Sequence, residues 1–282
     1  MSLCQTYRDL SFQTWRLMEK ARSVSHQPLE ETITDNNIIE LKLRQSHEVI
    51  TTTYNKVQEG KTGADWQWWF TNSKKNIWFG VRVQAKILKF KTDRFEALNY
   101  KNQTDVLIKS AQKDGLIPLY CFYSQWPLSK NYPTKNCLTF PNAPESYGCS
   151  IIDAYTIKKN KKTKKTKKSN TLASVISDVF PWSCLVCCQS TTSRSNANSL
   201  PDRIKSFVQN VLLRNSSDDI LIPKITKEPP RHIKSILDKG NENHENDDPN
   251  LAGVIVIIES DDQNKGGIIL KQGKLPSPPS SV

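Results

Sequence analysis

The chain has 282 residues, of which 37% are hydrophobic, and its formal net charge is +12 at pH 7. This length allows a large hydrophobic core, so the fold needs no framework of disulfides or metals to hold it together. The positive charge favours a polyanionic partner such as nucleic acid, although much of the excess lies in one lysine-rich run, residues 158–168.

The sequence contains no segment typical of export or of membrane insertion. Arg8, Arg16 and Glu19 interrupt the first twenty residues, which excludes an ordinary secretory signal. The clearest apolar run, residues 251–258, is too short to cross a bilayer. We therefore expect a soluble, cytoplasmic protein that has no membrane partner.

The first half of the chain predicts a regular order of helices and strands. Residues 1–28 form an N-terminal helix and linker, and the core domain covers residues 29–124. Within this core, apolar spacing and β-branched residues predict a helix, three strands that form a meander, a second helix and a further strand. These elements are expected near residues 30–45, 49–57, 64–70, 77–90, 102–113 and 116–123. A meander followed by a helical crossover gives an α/β fold with a mixed sheet flanked by helices.

The second half of the chain is less regular. We expect a loop-rich insertion that carries the lysine run over residues 125–170 and a helical extension with a late strand over residues 171–260. The tail, residues 261–282, is rich in Pro and Ser, which favours disorder.

Three polar side chains of the third strand are expected to share one face. Residues two apart in a strand point to the same side, so Arg82, Gln84 and Lys86 project together. The short turn before this strand predicts an antiparallel hairpin, which brings Asp65 beside Gln84 and Lys86. A carboxylate, an amide oxygen and a lysine at one sheet end are a candidate site for phosphodiester hydrolysis.

The chemistry of such a site requires a hard divalent cation. Mg²⁺, or Mn²⁺ in its place, binds oxygen ligands, here the Asp65 carboxylate, the Gln84 side-chain oxygen and the backbone carbonyl of Ala85. Lys86 would then orient or activate the attacking water, or balance charge on the phosphate. Glu31 is the preferred source of a second carboxylate, with Glu30 and Glu59 as alternatives. Gln103, at the start of the second core helix, is placed to reach back toward the same site.

The pattern of Glu31, Asp65 in GADW and Gln84-Ala85-Lys86 in VQAK resembles the PD-(D/E)XK nucleases. That resemblance implies a restriction-endonuclease-like core of order αβββαβ and a metal-dependent nuclease that hydrolyses DNA, with RNA as a second substrate class. Gln84 stands where this superfamily usually has Asp or Glu, and such a Q-x-K variant is similar to that of the Mrr-type restriction enzymes. The segment TGADWQWWF, with VRVQAK and PLYCFYS, also resembles an uncharacterised bacterial family of unknown function.

Two other interpretations of these residues stay open. Asp65 could be a turn acid and Lys86 a solvated strand lysine, and an acid in the first turn of a helix is favoured by the helix dipole alone. The protein could also be a catalytically inactive nuclease-fold module that binds nucleic acid or a protein partner. The sequence leaves the oligomeric state open and allows a homodimer.

The seven cysteines favour free thiols over a disulfide framework, because the count is odd and no export signal is present. Cys184 and Cys187, followed by Cys188, have the spacing of half a zinc site. A second such pair is missing, and only Cys137 or Cys149 could complete the site. Buried free thiols are therefore the favoured interpretation, and structural Zn²⁺ is the less favoured one.

Overall fold

The computed structural model describes residues 1–53, 64–96, 98, 102–135, 137, 139–140, 143–163, 170–188, 199–214, 220, 222–239 and 251–260. Its eight α-helices in this part of the chain are α1 (Leu3–Ser23), α2 (Glu30–Arg44), α3 (Gln103–Lys113), α4 (Ala154–Thr163), α5 (Leu172–Val175), α6 (Cys184–Cys187), α7 (Leu200–Phe207) and α8 (Arg231–Lys239). Short 3-10 turns cover Pro144–Tyr147 and Ile176–Asp178, and α7 continues into a π-helical turn, Val208–Leu212. None of these helices is long and apolar enough to cross a membrane.

The strands of the described residues form one open mixed sheet. They are β1 (Val49–Thr53), β2 (Trp66–Thr71), β3 (Trp78–Lys89), β4 (Arg94–Phe95), β5 (Ile117–Tyr123), β6 (Cys149–Asp153), β7 (Phe180–Pro181) and β8 (Gly253–Ile258). Their order across the sheet is β1, β8, β2, β3, β5, β6, β7, and β4 pairs with β3. The predicted mixed sheet flanked by helices is confirmed. Residues predicted to lie in the insertion and in the extension supply β6, β7 and β8.

The hairpin of β2 and β3 has the predicted geometry. The two strands are antiparallel and Trp66 lies opposite Val83. Helix α3 then crosses over to β5, which runs parallel to β3 with Gln84 beside Tyr120. A parallel neighbour requires such a helical crossover, and the periodicity of residues 102–113 predicts it correctly.

The first strand does not lie beside the second, so the predicted meander is wrong at this point. Strand β8 lies between them, antiparallel to β1 and parallel to β2. Its four central residues, Val254, Ile255, Val256 and Ile257, are buried. Continuous apolar runs of this kind are typical of strands that are covered on both faces. The sheet therefore depends on a strand that follows β2 by more than 180 residues in sequence.

Strand β3 is covered on both faces, so its polar row does not face solvent. Every residue from Trp78 to Leu88 is buried, including Arg82, Gln84 and Lys86. Helices on both sides of the sheet remove its polar row from bulk water. Lys86 is only 7% exposed, so its interpretation as a solvated strand lysine is wrong.

Part of the lysine run is helical rather than a free arm. Helix α4 reaches Thr163, and Lys158 forms an ion pair with Asp105 of α3 at 2.6 Å. Residues 164–168 of the run, and the predicted disordered tail, lie outside the described residues.

The expectation that all cysteines are free is also wrong. Cys4 of α1 and Cys187 of α6 form a disulfide with a Cα–Cα distance of 4.9 Å. Packing of α1 against α6 brings together two cysteines that are 183 residues apart in sequence. Five cysteines remain as free thiols: Cys121, Cys137, Cys149, Cys184 and Cys188.

Candidate active site

Asp65 is held by its backbone between two strands. Its N–H donates to the Val83 carbonyl of β3 at 3.0 Å, and its carbonyl accepts the N–H groups of Ala252 and Gly253 at 2.7 and 3.2 Å. Asp65 directly precedes β2, so the register of the hairpin sets it beside Gln84. The late strand β8 therefore also fixes the position of this carboxylate.

The Asp65 carboxylate points at the backbone and side chain of β3. Asp65 Oδ2 accepts hydrogen bonds from Gln84 Nε2 at 2.6 Å and from the Ala85 N–H at 2.7 Å. Gln84 Nε2 also donates to the Ala85 carbonyl at 3.2 Å. The structure thus brings the Asp65 carboxylate, the Gln84 amide and the Ala85 carbonyl together, but the Gln84 amide faces the other two groups with its nitrogen rather than with the predicted oxygen.

Gln103 supports Gln84 from α3. Its Nε2 donates to Gln84 Oε1 at 2.9 Å, which confirms that this residue reaches back to the site. Gln84 is 3% exposed, and a buried amide needs partners for both of its ends. Asp65 and Gln103 supply them.

Lys86 pairs with an acid at the start of α2. Its Nζ lies 3.7 Å from Glu30 Oε1, while Glu30 Oε2 accepts the N–H of Ile87 at 3.0 Å. One glutamate thus contacts both the side chain of Lys86 and the backbone of the next residue. This pair completes a line of charged and polar groups along the end of β3.

The contact to Lys86 comes from Glu30, although the sequence favours Glu31 for this place. The Glu31 side chain is exposed, and Glu30 is half-buried. Thr34, Asn37 and Leu41 form the buried face of α2, and Glu30 continues that face at helical spacing. Glu30 and Glu31 thus lie at different positions around the helix, and only Glu30 is on the side that faces the sheet. Glu59, the third alternative, lies outside the described residues.

The whole constellation falls within one recognised sequence family. A model of a family of unknown function (DUF6615) matches residues 3–263, which include Glu30, Asp65, Gln84, Lys86 and β8. The chain belongs to the DUF6615 family. A search of curated proteins found no match. Membership agrees with the resemblance to an uncharacterised family, and the DUF6615 match spans the complete sheet rather than the predicted core alone.

Burial changes the acidity of the glutamate in this DUF6615 site. The pKa of Glu30 is raised to about 7, mainly by removal from water and to a smaller extent by the nearby Asp65 carboxylate. Lys86 and the Ile87 N–H oppose this rise but do not cancel it. Glu30 therefore changes its charge near neutral pH, where a proton acceptor is most useful for catalysis.

We expect Glu30→Gln to change how stability depends on pH. The native state holds the Glu30 proton up to about pH 7, whereas the unfolded chain releases it near the ordinary value of 4.5. The stability that this carboxyl contributes therefore falls as pH rises through that window. As the pH rises through that window, the free energy of unfolding of the wild type should fall by about 2–3 kcal/mol more than that of Glu30→Gln.

Urea unfolding in EDTA at several pH values measures this difference. Glu31→Gln is the matched control, because the same change at an exposed neighbour should keep the wild-type pH dependence. Parallel curves for the wild type and Glu30→Gln would contradict the raised pKa.

The ligand groups of the site are compatible with a hard divalent cation. Gln84 Nε2 lies 2.6 Å from Asp65 Oδ2 and 3.2 Å from the Ala85 carbonyl oxygen. Adjacent ligands of an octahedral Mg²⁺ are about 3 Å apart, since each lies about 2.1 Å from the ion. A half-turn of the Gln84 amide would exchange its nitrogen for its oxygen, and the Gln103 amide would have to turn with it to keep their hydrogen bond. With both amides turned, Asp65, Gln84 and Ala85 would offer three oxygens to Mg²⁺ or Mn²⁺.

Proposed function

We propose that this protein is a metal-dependent nuclease of the PD-(D/E)XK type that hydrolyses phosphodiester bonds of DNA. The observation that carries the proposal is the meeting of the Asp65 carboxylate, the Gln84 amide and the Ala85 carbonyl beside Lys86. The start of β2 and the facing part of β3 thus bring possible metal ligands close to the positive charge of Lys86. Hydrolysis of a phosphodiester by a metal-dependent nuclease uses both.

Each residue has a distinct part in the proposed reaction. Asp65, Gln84 and the Ala85 carbonyl would hold Mg²⁺ or Mn²⁺, which supplies Lewis-acid chemistry to the phosphate. Lys86 orients the attacking water and balances the charge of the phosphate. Glu30 holds the Lys86 ammonium in place and accepts a proton from the water, for which its pKa of about 7 is suitable.

The energetics of burial favour a functional role for these groups. Lys86 is 7% exposed and Gln84 is 3% exposed. Removing a lysine and two acids from water costs free energy that well-packed apolar residues would not cost. Strongly perturbed pKa values also cluster at functional sites. A structural explanation would have to account for Glu30, whose pKa is raised by burial and, to a smaller extent, by the Asp65 carboxylate.

The order of elements supports the same superfamily. Helix α2, strands β1, β2 and β3, helix α3 and strand β5 follow one another as the PD-(D/E)XK core does, with Asp65 before the second strand and Lys86 on the third. The sheet departs from that plan in two ways: β8 lies between β1 and β2, and β4 pairs with β3. A net charge of +12 supports a polyanionic substrate.

The test is cleavage of plasmid DNA, single-stranded DNA and RNA by the full-length protein with Mg²⁺ or Mn²⁺ and with EDTA. We expect cleavage of DNA that needs the metal, and an at least 100-fold lower rate for Asp65→Asn, on the order of the loss when one group that stabilises the transition state is removed. Asp9→Asn, which replaces an acid of α1 paired with Gln5 and Arg44, is the matched control and should cleave normally.

The same assay distinguishes the alternatives. Binding of DNA by folded protein without cleavage in either metal would replace the nuclease by an inactive binding module. Cleavage of RNA alone would change the substrate class but keep the site. Equal cleavage by Asp65→Asn and the wild type would contradict the assigned site.

A further inference from the structure

Three cysteines outside the proposed active site meet in space. The Sγ atoms of Cys137, Cys184 and Cys188 all lie within 4.8 Å of one another, and those of Cys137 and Cys188 are 3.7 Å apart. Cys184 and Cys188 come from α6 and the residue after it, whereas Cys137 comes from the segment between β5 and β6. Two distant parts of the chain thus bring their thiols to one place.

The spacing of these sulfurs distinguishes a metal site from a disulfide. A disulfide holds its sulfurs about 2.05 Å apart, which the 3.7 Å between Cys137 and Cys188 far exceeds. Thiolates bound to zinc at about 2.3 Å in a tetrahedron are about 3.8 Å apart. The distance in the structure suits two ligands of one zinc ion, and it also suits a hydrogen bond between two thiols.

The loop that carries Cys137 is held against α6. The Thr139 hydroxyl donates a hydrogen bond to the Cys187 carbonyl at 3.2 Å. The ring of Phe140 lies under the Arg8 guanidinium at 3.9 Å, so this loop is also anchored to α1.

We propose that Cys137, Cys184 and Cys188 bind a zinc ion that joins the loop after β5 to α6. Cys184 and Cys188 are buried and Cys137 is half-buried, and a metal ion would offset the charge of these sulfurs once they release their protons to it. Thiolates select soft or borderline metals, and Zn²⁺ is the usual one for a closed structural site. Three sulfurs leave one position for a water molecule or another donor. The sequence offers Cys137 as one of two possible additions to a CxxC pair, but the structure uses only Cys184 of that pair, because Cys187 forms the disulfide with Cys4 and Cys188 joins the cluster instead.

The proposal is independent of the nuclease function, and metal analysis tests it directly. The full-length protein, purified without chelators, should contain one zinc ion per chain. Cys137→Ser and Cys188→Ser should lose it, whereas Cys121→Ser, which replaces a buried thiol of β5 outside the cluster, should retain it.

A second measurement uses only the wild type, so it tests the proposal even if the cysteine variants fail to fold. Wild-type protein produced with Co²⁺ in place of zinc should show the sulfur-to-cobalt charge-transfer band and the visible bands of a tetrahedral thiolate site. Folded wild type without stoichiometric metal and without these bands would overturn the proposal. So would peptide mapping that finds a Cys137–Cys188 disulfide, because those sulfurs could not then both bind the ion.

Discussion

Lys86→Met should lower DNA cleavage by about 10²–10⁴-fold, the range typical of a lost catalytic proton-transfer or charge-stabilising group. Methionine keeps the length of the buried stem and removes the ammonium, so the 7%-exposed position remains filled. Alanine would be a poorer choice, because it would add a cavity in a strand that is covered on both faces. The loss should appear at saturating metal, because Asp65 and Gln84 remain.

The control for this change is Lys130→Met. Lys130 also pairs with an acid, Asp93, but it is 44% exposed, and its loss should leave cleavage unchanged. Thermal unfolding of both variants checks the fold, and the rate of plasmid nicking measures activity. A Lys86→Met protein that folds and cleaves like the wild type would remove this residue from the proposed mechanism.

Ending the chain after residue 250 should abolish folding. This truncation removes β8 and leaves β1 and β2 without their shared neighbour. The four buried aliphatic side chains of β8 alone contribute about 6–12 kcal/mol at about 1.5–3 kcal/mol each. That sum is comparable to the whole stability of a typical domain, about 5–15 kcal/mol. Circular dichroism and gel filtration should find an unfolded or aggregated product.

Ending the chain after residue 260 is the matched control. It keeps β8 and the Glu259 carboxylate, which pairs with Arg203 at 2.8 Å and accepts the N–H of Leu200 at 2.8 Å. This version should fold and unfold cooperatively. A folded, cleavage-competent protein that ends at residue 250 would show that the fold and the candidate site form without β8.

The local part of the fold could be predicted from the sequence. Alternation in residues 77–90 identifies the strand of Gln84 and Lys86, and the short turn identifies its partner. Those two facts suffice to bring Asp65 beside Gln84. The site is predictable to that extent because a hairpin is a local structure whose register follows from its turn.

The remaining features depend on contacts between distant segments. The apolar run of residues 253–258 indicates a buried strand, but nothing in it specifies β1 and β2 as its neighbours. Burial of Lys86 depends on helices above and below the sheet, and the Cys4–Cys187 disulfide depends on how α1 packs. Glu30 is the exception, since it lies three residues before Ile33 and eleven before Leu41, the two apolar residues of the buried face of α2.

The position of β8 has a consequence for how the molecule acquires its structure during synthesis. β1 and β2 leave the ribosome long before β8, so both expose unpaired edges until residues 253–258 have been made. Pairing across such long sequence separations is slow, and open edges in the interval favour association with other chains. Because the carbonyl of Asp65 is held by Ala252 and Gly253, the same event completes the candidate site. In a nascent chain the candidate site would therefore stay incomplete until β8 has been made and has paired with β1 and β2.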